Sequence, residues 1–456
     1  MNAQPAATAL PLVAGRATLR PRPRVVDALA GAAGLGFGIT VALAIAGESS
    51  GSLAAPGGLA TAAGRLTGLA GTYLMLITVL LVARLPVLER TVGQDRLVRW
   101  HRRIGPWPLF LIAAHGVLIV VGYAAVAKTG VLHQFGTLLL SYPGVLAATA
   151  GAVLLFMAGI TSYRIARRRM SHETWWAVHL YTYLALALAF SHQIGTGQSF
   201  VGHPVATFWW SSMWLATAGV ALVYRVGLPL WRSVLHGLRV VEVREDSPGV
   251  VSLICKGRRL DRLPLAGGQF LQWRFLKRGL WWQAHPYSVS GLAQPPYLRV
   301  TVKDLGDHSR ALATLEPGTR IAIEGPYGAF TAASRRGDAV LLVGAGVGAT
   351  PLRALLEDLP RWVDVVVMLR AHTHEELVLR DEMAALVQDR GGELHELVGP
   401  RSDVRLDPAA LTWLVPDIAG RDLFVCGPEG FTEAVKRSAR AAGTPRERIH
   451  EEAFAF

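Results

Sequence analysis

Six apolar stretches, at 25–46, 67–84, 104–125, 143–163, 174–193 and 204–228, constrain this 456-residue chain more than any other feature of it. Each is about 18–25 residues long, enough for a helix to cross a bilayer core of roughly 30 Å. In hydrocarbon a helix satisfies its own backbone polar groups, so these stretches have to be spans packed into a bundle. None lies beyond about residue 231, and the rest of the chain changes character. A content of 51% hydrophobic and 17% charged residues is too apolar for a purely soluble protein of this length. The expected fold is a membrane all-α six-helix bundle over 25–230, behind a tail at 1–24 and ahead of two soluble domains.

The net charge of +13 invites a nucleic-acid partner, but its placement argues against one. Segments 1–26, 84–103 and 164–173 hold 14 Lys and Arg, whereas 47–66, 126–142 and 194–205 hold only Arg65 and Lys128. Short loops that alternate in this way follow the positive-inside rule. They place the amino terminus and, after six spans, both soluble domains in the cytoplasm of a multi-pass cell-membrane protein. The basic start and first apolar run look like a signal peptide, but 25–46 is long for one and is read as an anchor. The two cysteines, Cys255 and Cys426, are too few for a thiolate-held iron–sulfur cluster or a Cys-based zinc site, and no disulfide is expected.

Two of the spans carry paired histidines. His101 and His115 are 14 residues apart, about 40° short of four helical turns and roughly 21 Å along the axis, so they leave nearly one face. His179 and His192 are 13 apart, about 140° short of four turns, and share a face only if that helix bulges or kinks. Both helices run outward, pairing His101 with His179 near the inner edge and His115 with His192 nearer the outer one. A single helix histidine is ordinarily a packed or hydrogen-bonded residue, but ionisable groups inside spans are costly and mark function by default. Four at matched depths suit two stacked haems, one imidazole from each helix per iron. Arg102 and Arg103 would face haem propionates or serve as ordinary inner-edge charges. Trp175 and Trp176 at one boundary and Trp209 and Trp210 at the other read as interfacial belts.

After Leu230, short β-type runs with turn residues between them predict an antiparallel β-barrel over 236–332. From about 338 the order strand, Gly-rich turn, helix, strand predicts an α/β nucleotide-binding domain over 336–456. In the barrel, His285-Pro286-Tyr287-Ser288 would place a ring beside an isoalloxazine and a hydroxyl at its reactive edge. Ser309 reads as the N-cap of a helix whose amino terminus, with Arg310, would receive a pyrophosphate. Glu324-Gly325-Pro326-Tyr327-Gly328 reads as a turn between the two soluble domains. The run Gly344-Ala345-Gly346-Val347-Gly348-Ala349-Thr350-Pro351 follows a hydrophobic strand and opens a helix, the arrangement that brings backbone against a dinucleotide pyrophosphate. Arg370, ending the second strand, together with Arg380 suits a 2′-phosphate and favours NADPH over NADH. Cys426-Gly427-Pro428 forms another strand end, and the chain stops at Phe454-Ala455-Phe456.

In this order, HPYS, GDHSR, EGPYG, GAGVGATP, CGPEG and a terminal aromatic resemble the ferredoxin-NADP reductase type of flavin module. Joined to spans with paired histidines, residues 25–456 resemble the ferric reductase and NADPH oxidase superfamily. The resemblance implies FAD against His285, Pro286, Tyr287 and Ser288, with its pyrophosphate at Ser309 and Arg310. It implies NADPH in the Gly344, Gly346, Gly348, Thr350 and Pro351 turn, with Cys426, Gly427 and Pro428 beside the nicotinamide and Phe454 or Phe456 over the flavin. Two b-type haems would lie on His101, His115, His179 and His192, and a small-molecule acceptor would be reduced outside. Two other readings stay open: a membrane-anchored reductase without transmembrane transfer, and a transporter or sensor whose histidines bind a metal ion.

Overall fold

The computed structural model describes residues 23–163, 169–170 and 172–454. Phe456 and nearly all of the expected tail lie outside them. The first half is helical: α1 Pro23–Ile45, α2 Gly58–Val82, α3 Gln94–Ile104, α4 Pro106–Ala127, α5 Val145–Ser162, α6 His172–Thr196, α7 Pro204–Leu222 and α8 Leu228–His236. Among the described residues, five helical stretches are long and apolar enough to cross a membrane: Arg24–Ile45, Gly58–Val82, Arg96–Ala127, Val145–Ser162 and Pro204–His236. The expected span at 174–193 is helical throughout as α6, but it is not among these five. His179, Thr182, Ser191, His192 and Gln193 dilute its apolar character.

Small residues bring the helices together. A Cβ added to Gly64 would lie 2.9 Å from the Ile119 side chain, and one on Gly122 would lie 2.2 Å from Thr61 Oγ1, so α2 and α4 pack nearly backbone to backbone. At Gly151 the same atom would lie 2.7 Å from the Ala185 carbonyl oxygen, which does the same for α5 and α6. Helices α4 and α6 each pack along these other partners rather than along each other. Trp210 is fully buried, and its indole donates to Gln193 Oε1 at 2.7 Å, tying α7 to α6.

The flavin-type domain has six strands: β1 Arg239–Ser247, β2 Val250–Lys256, β3 Phe270–Phe275, β4 His285–Ser288, β5 Tyr297–Lys303 and β6 Ile321–Tyr327. They form two three-stranded antiparallel sheets, β1-β2-β5 and β4-β3-β6, in place of the continuous barrel expected. Single bridges at Arg239–Arg320 and Val289–Val300 join them. The ladder is interrupted where β4 is only four residues long and contains Pro286, which has no N–H to donate. Trp273, Phe275, Leu253 and Val300 fill the space between the sheets.

The last domain is a five-stranded parallel sheet in the order β11-β10-β7-β8-β9, from β7 Ala339–Ala345, β8 Asp364–Ala371, β9 Glu393–Val398, β10 Asp422–Pro428 and β11 Ile449–Phe454. Val340 to Val343 are 0% exposed, as expected of a central strand covered on both faces. Helix α9, Ala349–Asp358, follows β7, and α10, Arg380–Asp389, follows β8. Strand order reverses between β7 and β10, the place where open α/β sheets bind ligands.

EGPYG is not a turn between the soluble domains. It ends β6, and the membrane half sits on it. Ser233 Oγ accepts from the Ile323 N–H at 3.0 Å and donates to the Ile323 carbonyl at 3.2 Å. Arg225 pairs with Glu324 at 3.0 Å, Arg232 donates to the Gly325 carbonyl, and the Arg84 guanidinium lies 3.9 Å over the Tyr327 ring.

Candidate functional site

Across the space between α6 and the consecutive helices α3 and α4, which carry His101 and His115, the structure brings the four histidines together in two pairs. His101 and His179 have ring centroids 6.1 Å apart, and His115 and His192 6.4 Å apart. Two imidazoles on opposite sides of one metal ion, each nitrogen about 2 Å from it, need a separation of about 6 Å. Helix α6 reaches both partners without the bulge that its 13-residue spacing had predicted, the pairs meeting at different tilts, 79° and 46°.

The second nitrogen of three rings is accounted for. His101 Nδ1 lies 3.0 Å from the Thr78 carbonyl, and His115 Nδ1 lies 2.8 Å from the Gly64 carbonyl. A carbonyl can only accept, so in both rings Nδ1 carries the proton and Nε2 keeps its lone pair, the tautomer of a metal-ligating histidine. His179 Nδ1 is 3.3 Å from Ser162 Oγ, and Trp175 stacks on this ring at 5.2 Å while donating to the same hydroxyl. His192 Nδ1 is buried without a protein partner. Among the described residues no three His, Cys, Asp or Glu side chains converge. Each pair therefore supplies two nitrogens, and that donor set fits a metal whose other ligands arrive with it, as in a haem.

On the flavin side, β4 holds His285 to Ser288. Ser288 Oγ is buried with no hydrogen-bond partner, an orphan of the kind a ligand satisfies. The Tyr287 backbone carbonyl accepts from the Trp273 indole at 3.0 Å, and burial pushes the Tyr287 phenol well above the ordinary range. Its hydroxyl is 3.1 Å from His308 Nδ1, and the His285 and His308 rings are 3.8 Å apart. Pro286 is exposed beside them. His308 thus joins HPYS to GDHSR; it stands directly before Ser309, and only its neighbours in that motif were singled out from sequence.

Ser309 is not an N-cap. The helix begins at Asp307 with Gly306 before it, and Ser309 Oγ accepts from the Leu305 N–H and donates to the Gly306 carbonyl, closing the loop on itself. Arg310 is exposed and pairs with Asp304 at 3.0 Å, holding that carboxyl below its usual range.

At the switch point, Gly346 has φ +54, and a Cβ on Gly348 would lie 2.2 Å from the Cys426 carbonyl oxygen. Only glycine lets the β7 turn pass so close to the end of β10. A Cβ on Gly344 would lie 2.7 Å from a Leu352 methyl, Thr350 Oγ1 donates to the Val347 carbonyl at 2.8 Å, and Pro351 is buried in α9. Gly344, Gly346, Ala349, Leu369, Arg370 and Val378 line a narrow cleft. Arg370 is 9% exposed and donates to the carbonyls of Ala371, Leu397 and Gly399, so it braces β8 against β9 as well as walling the cleft. The Cys426 thiol is fully buried in the core, where desolvation raises its pKa well above the ordinary value; its backbone, with Gly427 and Pro428, is what borders the turn. Phe454 pairs by its backbone with Pro428, laying the end of the chain along this edge.

The family described as ferric reductase like transmembrane component matches residues 67–190, which include His101, His115 and His179; His192 lies two residues beyond the match. The family described as FAD-binding domain matches residues 240–331. The chain joins a ferric reductase-like transmembrane component to an FAD-binding domain.

An NADPH oxidoreductase of Mycobacterium tuberculosis is 29% identical to the ferric reductase-like chain over 239 residues, 50% of this chain and 62% of the relative. The ferredoxin reductase component of a 3-ketosteroid-9-alpha-monooxygenase from Mycolicibacterium smegmatis is 34% identical over 232 residues, 48% of this chain and 65% of the relative. The chain thus spans under two thirds of the length of these curated relatives. Among solved structures, the FAD/NAD binding domain of a Vibrio cholerae nitric oxide dioxygenase is 25% identical, covering 48% of this chain and 98% of that domain with a TM-score of 0.41.

Proposed function

We propose that the chain is a membrane flavocytochrome that carries electrons from cytoplasmic NADPH, through FAD and two b-type haems, to oxygen or ferric iron on the outer face. Bound flavin would divide a two-electron hydride into single electrons, and the haems would carry these across the hydrocarbon. His101 and His179 would hold the inner haem and His115 and His192 the outer one through Nε2, with the Thr78 and Gly64 carbonyls fixing two of the tautomers. Arg102 and Arg103, exposed at the inner edge, would meet propionates. In this reading α6 is the fifth of six spans, and the amino terminus and soluble domains face the cytoplasm.

On the soluble side, Ser288 would give the flavin's reactive edge a hydrogen bond, with Tyr287, Pro286 and His285 along the ring. The loop closed by Ser309 and carrying Arg310 would face the pyrophosphate. Gly344, Gly346, Gly348, Thr350 and Pro351 would receive NADPH, Arg370 would wall its ribose end, and Gly427 and Pro428 would border the nicotinamide. Phe454 or Phe456 would cover the flavin until the nicotinamide arrives.

The observation that carries the reading is the meeting of two imidazole pairs, each at one metal's span, on helices that otherwise pack apart. It is tested by the visible spectrum of the detergent-purified protein, oxidised and then reduced with NADPH under argon, beside His115→Ala and His192→Ala. Two haems per chain, reduced by NADPH and halved in either variant, are expected. A flavin spectrum without haem, from cells amply supplied with haem, would leave an anchored NAD(P)H:acceptor flavin reductase instead.

A further inference from the structure

Away from both cofactor sites, a group of charged side chains joins the two soluble domains. Glu382 on α10 accepts both terminal nitrogens of Arg299 on β5, at 2.5 and 2.7 Å, in a fork-on-carboxylate arrangement. It also accepts Nε of Arg353 on α9 at 2.8 Å, and Arg244 stands 3.9 Å away. The two closest guanidiniums are little exposed, at 15% and 13% of their side chains. Burial pushes the Glu382 carboxyl up, but Arg299 and Arg353 hold it below its ordinary value, so it is charged at neutral pH.

What these arginines touch next gives the group its meaning. Arg299 donates through Nη2 to the Ser290 carbonyl at 2.9 Å, two residues beyond Ser288 and just past the end of β4. Arg353 lies one turn into α9, the helix opened by the Gly344–Gly348 turn, and also pairs with Glu357. Glu357 in turn accepts the Leu292 N–H at 2.9 Å and the Gln294 amide at 3.2 Å, and Asp358 accepts the Gly267 N–H at 3.0 Å. A Cβ on Gly267 would lie 2.1 Å from the Ala354 carbonyl oxygen, so α9 is seated backbone against backbone on the flavin-type domain. Exposed ion pairs are worth little, but a partly buried carboxylate shared by two guanidiniums is a rigid link.

We infer that Glu382 is a positioning residue for hydride transfer: through Arg299 and Arg353 it clamps the helix behind the nucleotide turn to the strand bearing Ser288, and so sets the approach of the nicotinamide to the flavin. This rests on the reading that NADPH reduces a flavin at β4. The step it serves moves a hydride, with both its electrons, from the dihydronicotinamide to the oxidised flavin, leaving NADP⁺. A displacement of about 1 Å in such a step costs up to about 10²-fold in rate.

The test is stopped-flow reduction of the flavin in the full-length protein by NADPH and by its 4-deuterated form. E382Q keeps the shape and removes the charge. The expected result is flavin reduction at least about ten-fold slower, a larger deuterium isotope effect and a weakened nicotinamide–flavin charge-transfer band, with FAD content and NADPH affinity unchanged. Arg299→Lys, which keeps the charge but loses the fork, should fall between E382Q and wild type. Wild-type rates and an unaltered charge-transfer band in a folded E382Q or Arg299→Lys protein, even with a lowered Tm, would overturn the clamp. A wild-type protein that binds no FAD, or whose flavin NADPH leaves oxidised, would instead overturn the reading beneath it.

Discussion

In the membrane half the groups that matter are side chains 13 and 14 residues apart, meeting across a space between helices that pack elsewhere. In the soluble half they are consecutive backbone groups, with the Gly348 turn pressed so tightly on the Cys426 carbonyl that one methyl group has no room. The first arrangement depends on four particular imidazoles and tolerates much between them. The second depends on atoms being absent. Removing a side chain should therefore injure the membrane half, and adding one should injure the soluble half.

The largest expected effect is at the histidines. His101→Ala or His179→Ala should remove the inner haem and stop NADPH from reducing the outer one, read as haem per chain and as the reduced spectrum, while flavin reduction continues at the wild-type rate. Loss of flavin reduction in these variants would break the division between the halves.

Gly348→Ala should do the reverse. Relieving a 2.2 Å approach costs about 1–3 kcal/mol of stability and moves the turn. NADPH affinity should drop while FAD and haem contents stay at wild-type values, as measured by titration and by pyridine haemochrome. Gly68→Ala brings the same kind of insult to the membrane half, since its Cβ would lie 2.5 Å from His115 Nδ1. It should shift the spectrum or potential of one haem without removing it, a smaller effect than His115→Ala.

Ser288→Ala removes a buried hydroxyl that the protein itself leaves unpaired. Its stability should be unchanged or slightly higher, while flavin reduction slows about ten-fold, the worth of one hydrogen bond of about 1.4 kcal/mol. The smallest effect concerns the cysteines. Burial pushes the Cys255 thiol up to about 12 and raises Cys426 as well, so neither is a thiolate at pH 8. The native protein should resist alkylation there, and both residues should react once it is unfolded; rapid native labelling of Cys426 would show that β10 opens at the nucleotide edge.

Legibility from sequence followed the range of the interaction. Five apolar stretches and the glycine turn were readable because hydropathy and backbone freedom are local properties. The pairing of His101 with His179 and of His115 with His192 was readable too, since it follows from rise per residue along each helix. Helix α6 reads less clearly as a span for the same reason that it attracts notice: its polar residues lower its hydropathy. Ser309 has the composition of a cap, but Gly306 lets the helix begin earlier and frees the hydroxyl to close the loop. Trp210 has the composition of an interfacial residue, and its bond to a glutamine on another helix is set by packing.

The sequence by itself determined which segments form long apolar helices, that a glycine turn leads from β7 into α9, and that the imidazoles stand in two pairs along their helices. Tertiary structure decided that His179 and His192 both reach partners from an unbulged helix, that the β4 and β1 sheets join only through single bridges, and that EGPYG seats the membrane half. It also decided that Arg370 braces two strands and that Glu382 links two domains. The physical reason is common to these cases: a hydrogen bond or ion pair forms with whichever group the packed backbone brings within about 3 Å, and the neighbouring residues in the chain do not carry that distance.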